Sequence, residues 1–274
     1  MPHLAWYVDN FSPFFIEFGR GIGIRYYGLS YALGYLFLYV FLRQQVKWGW
    51  CSLTREQADA LVLWICLLGV FVGGRLGYCL LYDFPETIRH PWTLFFVWEG
   101  GMASHGGIIG VILVMVWFAR SRKVPFWNVA DATALCTPVG LGLGRIANFI
   151  NGELWGRPTT VPWAVYFPRA PLVNEAPVPR HPSSLYEAAL EGLLLFLLLL
   201  WIRKGTRRDG VVAISFLALY SLFRIIAECF REPDIQIGYY LGFATQGQLL
   251  SATMLVAAGV LAWVQFWKQP RSLP

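Results

Sequence analysis

Seven runs of apolar residues alternate with short polar segments along the chain. They lie near residues 26–42, 59–83, 104–119, 128–149, 185–202, 211–229 and 247–267. About 20 apolar residues in a helix match the roughly 30 Å hydrocarbon core of a bilayer. The pattern therefore predicts an all-α polytopic membrane protein with about seven transmembrane helices. The run at 104–119 is short, and the amphipathic stretch Pro91–Glu99 before it either extends it or lies at the interface. The longest connection, about 152–184, carries seven prolines with polar and aromatic residues between them. It is too long for a simple turn and too apolar for a linker, and it reads as a small ordered cap on the outer face. The chain, 1–274, is then one integral membrane domain with this cap inserted. Gly69, Gly73 and Gly77 recur at every fourth position, the small-residue spacing that lets membrane helices approach closely.

Composition agrees. Of 274 residues 57% are hydrophobic and 14% charged, and soluble domains carry about 25% charged residues. Mean hydropathy is +0.51. Met1–Gly19 has no basic start and no unbroken apolar core, so a cleaved signal peptide is not expected. Cys51, Cys66, Cys79, Cys136 and Cys229 show no paired spacing and read as packing residues, with no metal site or disulfide framework.

The net charge of +6 raises the question of nucleic acid, and its distribution answers it. Arg43, Lys47 and Arg55 follow the first run, and Arg120, Arg122 and Lys123 the third. Arg203, Lys204, Arg207 and Arg208 follow the fifth, and Lys268 and Arg271 the seventh. These sets alternate and hold all four lysines, whereas the other side has only scattered arginines, among them Arg20, Arg25, Arg89, Arg169 and Arg180. Basic segments stay cytoplasmic, which places the N-terminus outside and the C-terminus inside. The charge therefore reflects topology, and no nucleic-acid partner is expected.

With that orientation the unusual polar residues converge. Arg145, Asn148, Asn151 and Glu153 sit at the outer end of the fourth run. Tyr220, Arg224 and Glu228 share one face near the outer end of the sixth, at i, i+4 and i+8. The third run begins outside at Gly100–Gly107 with His105, and the fifth begins outside after His181-Pro182-Ser183. The first begins with Arg25-Tyr26-Tyr27-Gly28. Ionisable groups at membrane depth are costly and mark functional sites by default. Arginine's planar fork stays charged when desolvated and suits phosphate. Arg145 and Arg224 are placed to clamp one phosphate from two sides, with Glu153, Glu187 and Glu228 orienting them. His105 is a candidate general base, since the positive end of a helix dipole disfavours a second positive charge there. The blander readings are a structural Arg224–Glu228 staple, asparagines that finish a helix, and an interfacial aromatic belt at Tyr26 and Tyr27. Arg75, among the glycines of the second run, needs a partner.

The run Gly144-Arg145-Ile146-Ala147-Asn148-Phe149-Ile150-Asn151-Gly152-Glu153-Leu154-Trp155-Gly156 resembles the signature of bacterial prolipoprotein diacylglyceryl transferases. Further likenesses are Tyr27-Gly28-Leu29, Gly73-Gly74-Arg75-Leu76-Gly77-Tyr78, and Gly100-Gly101-Met102 with His105-Gly106-Gly107. His181-Pro182-Ser183 with Leu185-Tyr186-Glu187, and Phe223–Glu228 followed by Arg231, complete them. The resemblance implies a multi-pass enzyme of the bacterial inner membrane, with its site toward the periplasm. Such enzymes move the diacylglyceryl group of phosphatidylglycerol to the lipobox cysteine of a prolipoprotein signal peptide, releasing glycerol 1-phosphate. No cofactor and no metal are implied. On this reading His105, Arg145 and Arg224 are catalytic. Tyr27, Arg75, Asn148, Asn151, Glu153, Gly156, Tyr220 and Glu228 bind substrate. Two rivals fit less well. A transporter predicts polar residues in both membrane halves and often an inverted repeat, and a protease needs a nucleophile facing its base, whereas Ser104 and His105 are adjacent on a helix.

Overall fold

The computed structural model describes residues 7–19, 21–96, 100–233 and 244–267. Arg20, Glu99, Lys268 and Arg271 lie outside them. The described chain is mostly helical, with nine helices of five residues or more in continuous runs: α1 Tyr26–Lys47, α2 Arg55–Leu81, α3 Phe84–Arg89, α4 Ser104–Arg122, α5 Phe126–Ala134, α6 Thr137–Ile150, α7 Ser183–Gly205, α8 Val211–Glu228 and α9 Gln246–Trp267, besides a short 3-10 turn at Pro91–Phe95. Five of them, α2, α4, α7, α8 and α9, are long and apolar enough to cross a bilayer.

The other two expected spans differ from that simple picture. The 22-residue α1 extends past its apolar run because Arg43, Gln45 and Lys47 continue the helix. There Arg43 donates to the Tyr39 hydroxyl at 2.7 Å and pairs with Asp59 at 3.2 Å. The run at 128–149 is two helices, α5 and α6, with Pro138 in the first turn of the second. Proline has no N–H to continue the backbone ladder, so the apolar pattern runs on where the helix does not.

The all-α expectation also needs correction, because four short strands are present among the described residues. β1 (Tyr7–Val8) pairs in parallel with β4 (Val165–Tyr166), and β2 (Phe14–Gly19) pairs antiparallel with β3 (Ile22–Arg25). Gly19 and Gly21, at φ +105° and +75°, supply the left-handed backbone that this hairpin turn requires.

The chain groups into two compact units: residues 1–37 with 134–274, and residues 38–133. In the second, α2 starts at a capping box, where Thr54 accepts from the Gln57 amide at 3.2 Å and Gln57 Oε1 accepts from the Thr54 amide at 2.9 Å. Helices α2 and α4 meet along a glycine seam: a Cβ on Gly77 would lie 2.5 Å from Gly106 Cα, and one on Gly73 would lie 3.0 Å from Gly110 Cα. The four-residue glycine spacing thus has a packing role. Arg75 finds its partners in the same unit. Its Nη1 donates to the carbonyls of Gly100 (2.5 Å) and Gly101 (3.2 Å), its Nε to Leu94 (3.2 Å), and its Nη2 to Thr93. One buried guanidinium therefore gathers the segment that leads into α4, where His105 is the second, exposed residue.

Candidate functional site

The first unit brings four helix ends together. Helices α6 and α7 cross where a Cβ on Gly192 would lie 2.7 Å from Gly142 Cα. That approach sets Arg145, almost one turn beyond Gly142, against the carboxylates of α7. Arg145 Nε lies 2.7 Å from Glu187 Oε2 and 3.8 Å from Glu191 Oε2. From α8, Arg224 Nη1 lies 2.9 Å from Glu187 Oε1 and 3.5 Å from Glu191 Oε1, while its Nη2 is 2.7 Å from Glu228 Oε2. Arg231 Nη1 approaches Glu187 Oε1 at 3.5 Å. Helix α9 closes the group: Thr245, its N-cap, donates to Glu228 Oε1 at 3.1 Å. Gly247 leaves room for that carboxylate, since a Cβ there would sit 2.9 Å from it.

The side chains of Glu187 and Glu191 are fully buried. Moving such charges out of water costs several kcal/mol per ion unless each is matched. Here three arginines face three glutamates, and Glu187 bridges Arg145 to Arg224 with one oxygen each. The two arginines are therefore held at a fixed separation by a single carboxylate. They are not equally occupied. Arg224 has both terminal nitrogens on carboxylates, whereas Arg145 makes its closest approach to both carboxylates through Nε, and its two terminal nitrogens donate no hydrogen bond to the described residues. Arg145 thus presents the outer edge of its fork, the edge that binds carboxylate or phosphate in bidentate fashion. Tyr220, one turn before Arg224, faces Glu191, Arg224 and Arg145.

A second group forms at the end of α6. Asn148 and Asn151 donate to Glu153 Oε1 at 2.8 and 3.4 Å. Glu153 therefore orients the asparagines, where the sequence suggested the arginines. The chain reverses here through Gly152 (φ +62°) and Leu154 (φ +56°), and the serines that open α7 fasten the corner. Ser183 Oγ donates to Leu154 O at 2.8 Å and Ser184 Oγ to Glu153 O at 3.3 Å. Gly156 lies between two strands of backbone, its amide donating to His181 O at 2.9 Å, and a Cβ there would lie 2.5 Å from His181 O and 2.6 Å from Phe230 O. Glycine at this position is required by space. Buried Arg180 ties the connection down, donating to Gly156 O (3.1 Å) and Pro171 O (3.0 Å) and pairing with Glu232 at 2.7 Å. His181 lies 3.1 Å from the Tyr186 hydroxyl, which also accepts from Trp163 Nε1 at 2.7 Å, and burial holds this imidazole below its ordinary range.

The predicted residues thus fall into four sets. Arg145, Arg224, Tyr220 and Glu228 come together, and Asn148, Asn151, Glu153 and Gly156 form the adjoining corner. Tyr27 lies in the first turn of α1, its ring 5.6 Å from that of Tyr31. His105 and Arg75 belong to the other unit. Glu191 and Thr245 join the group without being singled out by the sequence pattern. A bare glutamate inside the run Ala188–Phe196 was the available signal for Glu191. Nothing local to Thr245 marks it beyond its capping box. Among the described residues no three His, Cys, Asp or Glu side chains are placed to hold a metal ion.

Comparison with known proteins gives this arrangement a context. Residues 13–264 match the family model described as prolipoprotein diacylglyceryl transferase. A phosphatidylglycerol–prolipoprotein diacylglyceryl transferase of Pasteurella multocida (strain Pm70) is 49% identical over 261 residues, covering 94% of this chain and 93% of the relative. Proteins of the same name are 48% identical over 263 residues in Vibrio atlanticus (strain LGP32; 95% and 92% covered) and 44% identical over 283 residues in Rhodopseudomonas palustris (strain ATCC BAA-98 / CGA009; 100% and 96% covered). Matches of this extent leave one conclusion: the chain belongs to the prolipoprotein diacylglyceryl transferase family.

Proposed function

We propose that this protein transfers the diacylglyceryl group of phosphatidylglycerol to the lipobox cysteine thiol of prolipoproteins, the first step of lipoprotein maturation. The observation that carries the reading is Arg145: anchored through Nε on buried Glu187, it keeps its outer fork edge free of hydrogen bonds to the described residues. A phosphodiester headgroup in an apolar setting is the ligand chemistry that such an edge suits.

The reaction is a displacement at the glycerol carbon that carries the phosphate. The thiolate forms the C–S bond as the C–O bond breaks, and the electron pair leaves with the phosphate oxygen of glycerol 1-phosphate. Arg145 stabilises the charge growing on that oxygen, the electrostatic contribution that is usually largest in such reactions. Arg224, committed to Glu187, Glu191 and Glu228, supplies positive potential and fixes the lattice. In the first unit Asn148, Asn151, Glu153, Tyr27, Gly156, Tyr220 and Glu228 shape the headgroup site; Arg75, in the second unit, contributes to substrate binding by holding the segment before His105. His105 takes the thiol proton, because a thiol of pKa about 8.5 attacks well only as thiolate.

On this reading α1 and the α5–α6 pair complete seven spans in the bacterial inner membrane. The alternation of basic segments supports a periplasmic N-terminus, a cytoplasmic C-terminus, and a periplasmic 152–184 cap above the site. The test is transfer itself. Purified protein, phosphatidylglycerol and a peptide bearing a lipobox cysteine should give a thioether-linked diacylglyceryl peptide. Peptide cleavage, or lipid movement with no thioether, would overturn the assignment.

A further inference from the structure

Among the described residues the arginine–glutamate lattice matches three charges with three, Arg145, Arg224 and Arg231 facing Glu187, Glu191 and Glu228, while the neighbouring Glu153 is held by Asn148 and Asn151 and takes no part in it. An anionic phosphodiester arriving at Arg145 leaves the group with one negative charge too many, in surroundings that screen charge poorly. Either a cation enters with the lipid or one carboxylate gives up its charge by taking a proton. The geometry separates the three candidates. Glu187 has oxygens 2.7 and 2.9 Å from guanidinium nitrogens. Glu228 is 2.7 Å from Arg224 and accepts from Thr245 at 3.1 Å. Glu191 is also fully buried, yet its nearest guanidinium nitrogens are 3.5 and 3.8 Å away. Facing it are Arg145 from α6, Arg224 and Tyr220 from α8, and Glu187 from its own helix. Both arginines make a shorter ion pair elsewhere, so neutralising Glu191 breaks none of the closest ones.

We propose that Glu191 takes up one proton as the anionic headgroup is captured, and that this proton leaves on the glycerol phosphate. The inference rests on the transferase reading. Breaking the C–O bond gives a phosphate carrying two negative charges, and the Glu191 carboxyl passes it one proton. The product departs as a monoanion and the lattice returns to three arginines and three glutamates, while the thiol proton leaves separately through the base. Glu191 is thus a proton carrier for the headgroup, coupling lipid entry to proton entry.

The experiment measures dioleoyl phosphatidylglycerol binding to the full protein in detergent micelles, without peptide, across mildly acidic to mildly alkaline pH. With one linked proton the apparent Kd should rise about tenfold per pH unit at the alkaline end. Calorimetry in buffers of different ionisation enthalpy should show close to one proton taken up there, and dioleoyl phosphatidylcholine, which brings no net charge, should take up none. Glu191→Gln should bind the anionic lipid with a flat pH dependence and no proton uptake. Should that variant fail to fold, infrared difference spectra of the wild-type protein decide alone: lipid binding should create the carbonyl band of a buried protonated carboxyl. A pH-independent Kd, no uptake and no band in a preparation that lipidates the thiol peptide would overturn this inference and leave the transferase reading standing. Persistence of uptake or of the band in a folded Glu191→Gln protein would also overturn it. A preparation that binds the lipid but never forms thioether would instead sink the transferase reading.

Discussion

Arg145→Lys keeps the charge and removes the fork, which makes it the sharpest single perturbation of the proposed site. Arg145 meets Glu187 through Nε at 2.7 Å, and neither terminal nitrogen donates a hydrogen bond to the described residues. A lysine has one nitrogen for both tasks. If it stays on Glu187 the phosphate loses two charge-assisted hydrogen bonds, and if it turns to the phosphate, Glu187 loses its nearest partner on that side. Hydrogen bonds to charged groups contribute about 1.5–3 kcal/mol each. The loss of two corresponds to roughly 3–6 kcal/mol, or on the order of 10²–10⁴ in kcat/KM. The assay is diacylglyceryl transfer to a lipobox peptide in detergent micelles, with thermal unfolding run in parallel to separate chemistry from folding. Activity within a few-fold of wild type, in a variant of unchanged stability, would refute the claim that the planar fork matters.

Other outcomes follow from the same geometry. Glu187→Gln removes the charge shared by Arg145 and Arg224, and breaking a buried pair costs about 3–5 kcal/mol; thermal unfolding should shift down markedly together with activity, and an unshifted transition would contradict the bridging role. Gly77→Ala places a methyl 2.5 Å from Gly106 Cα, so overpacking of the α2–α4 seam should cost about 1–3 kcal/mol, and a neutral effect would mean the helices separate easily. His105→Gln should reduce turnover about 10²-fold or more near neutrality, with partial recovery at alkaline pH where the thiol ionises unaided; near-normal turnover over the whole pH series would remove His105 as the base. Asp9 is buried beside Gly152, and burial raises its carboxyl above the ordinary range, partly offset by the Phe11 amide and Arg169. A raised carboxyl favours the fold while protonated and loses that benefit as pH rises from its unfolded value through its folded one. Asp9→Asn should therefore stabilise the protein at neutral pH, with the gain vanishing on acidification; a pH-independent difference in unfolding temperature would refute this.

The parts legible in the sequence were those encoded locally. Apolar runs located the long helices, because a bilayer solvent leaves little choice about where they start and stop. Arg145, Tyr220, Arg224 and Glu228 stood out because ionisable and phenolic groups in apolar helices need partners. What escaped was non-local or hidden by composition. Tyr7–Val8 finds Val165–Tyr166 across most of the chain, a pairing that no local periodicity announces. The break between α5 and α6 falls at Leu135 and Cys136, which continue the apolar pattern, and Pro138 just beyond is the mark of the new helix. Glu153 was assigned to arginines because its charge suggested them, whereas the helix end delivered Asn148 and Asn151 at hydrogen-bond distance. Glu191 is hidden in the sequence amid leucines and alanines, and the Gly142–Gly192 crossing is what brings it to face Arg145. The widened turns at Ile65–Val72 and Ala188–Leu194, the second of which carries Glu191, likewise have no sequence signature.

The most direct test of the account is an experimental structure of the protein with phosphatidylglycerol bound. It should place a headgroup phosphate oxygen within about 2.7–3.2 Å of both terminal nitrogens of Arg145, with Arg224 still held by Glu187 and Glu228. A phosphate bound elsewhere, with the outer edge of Arg145 left empty, would contradict it.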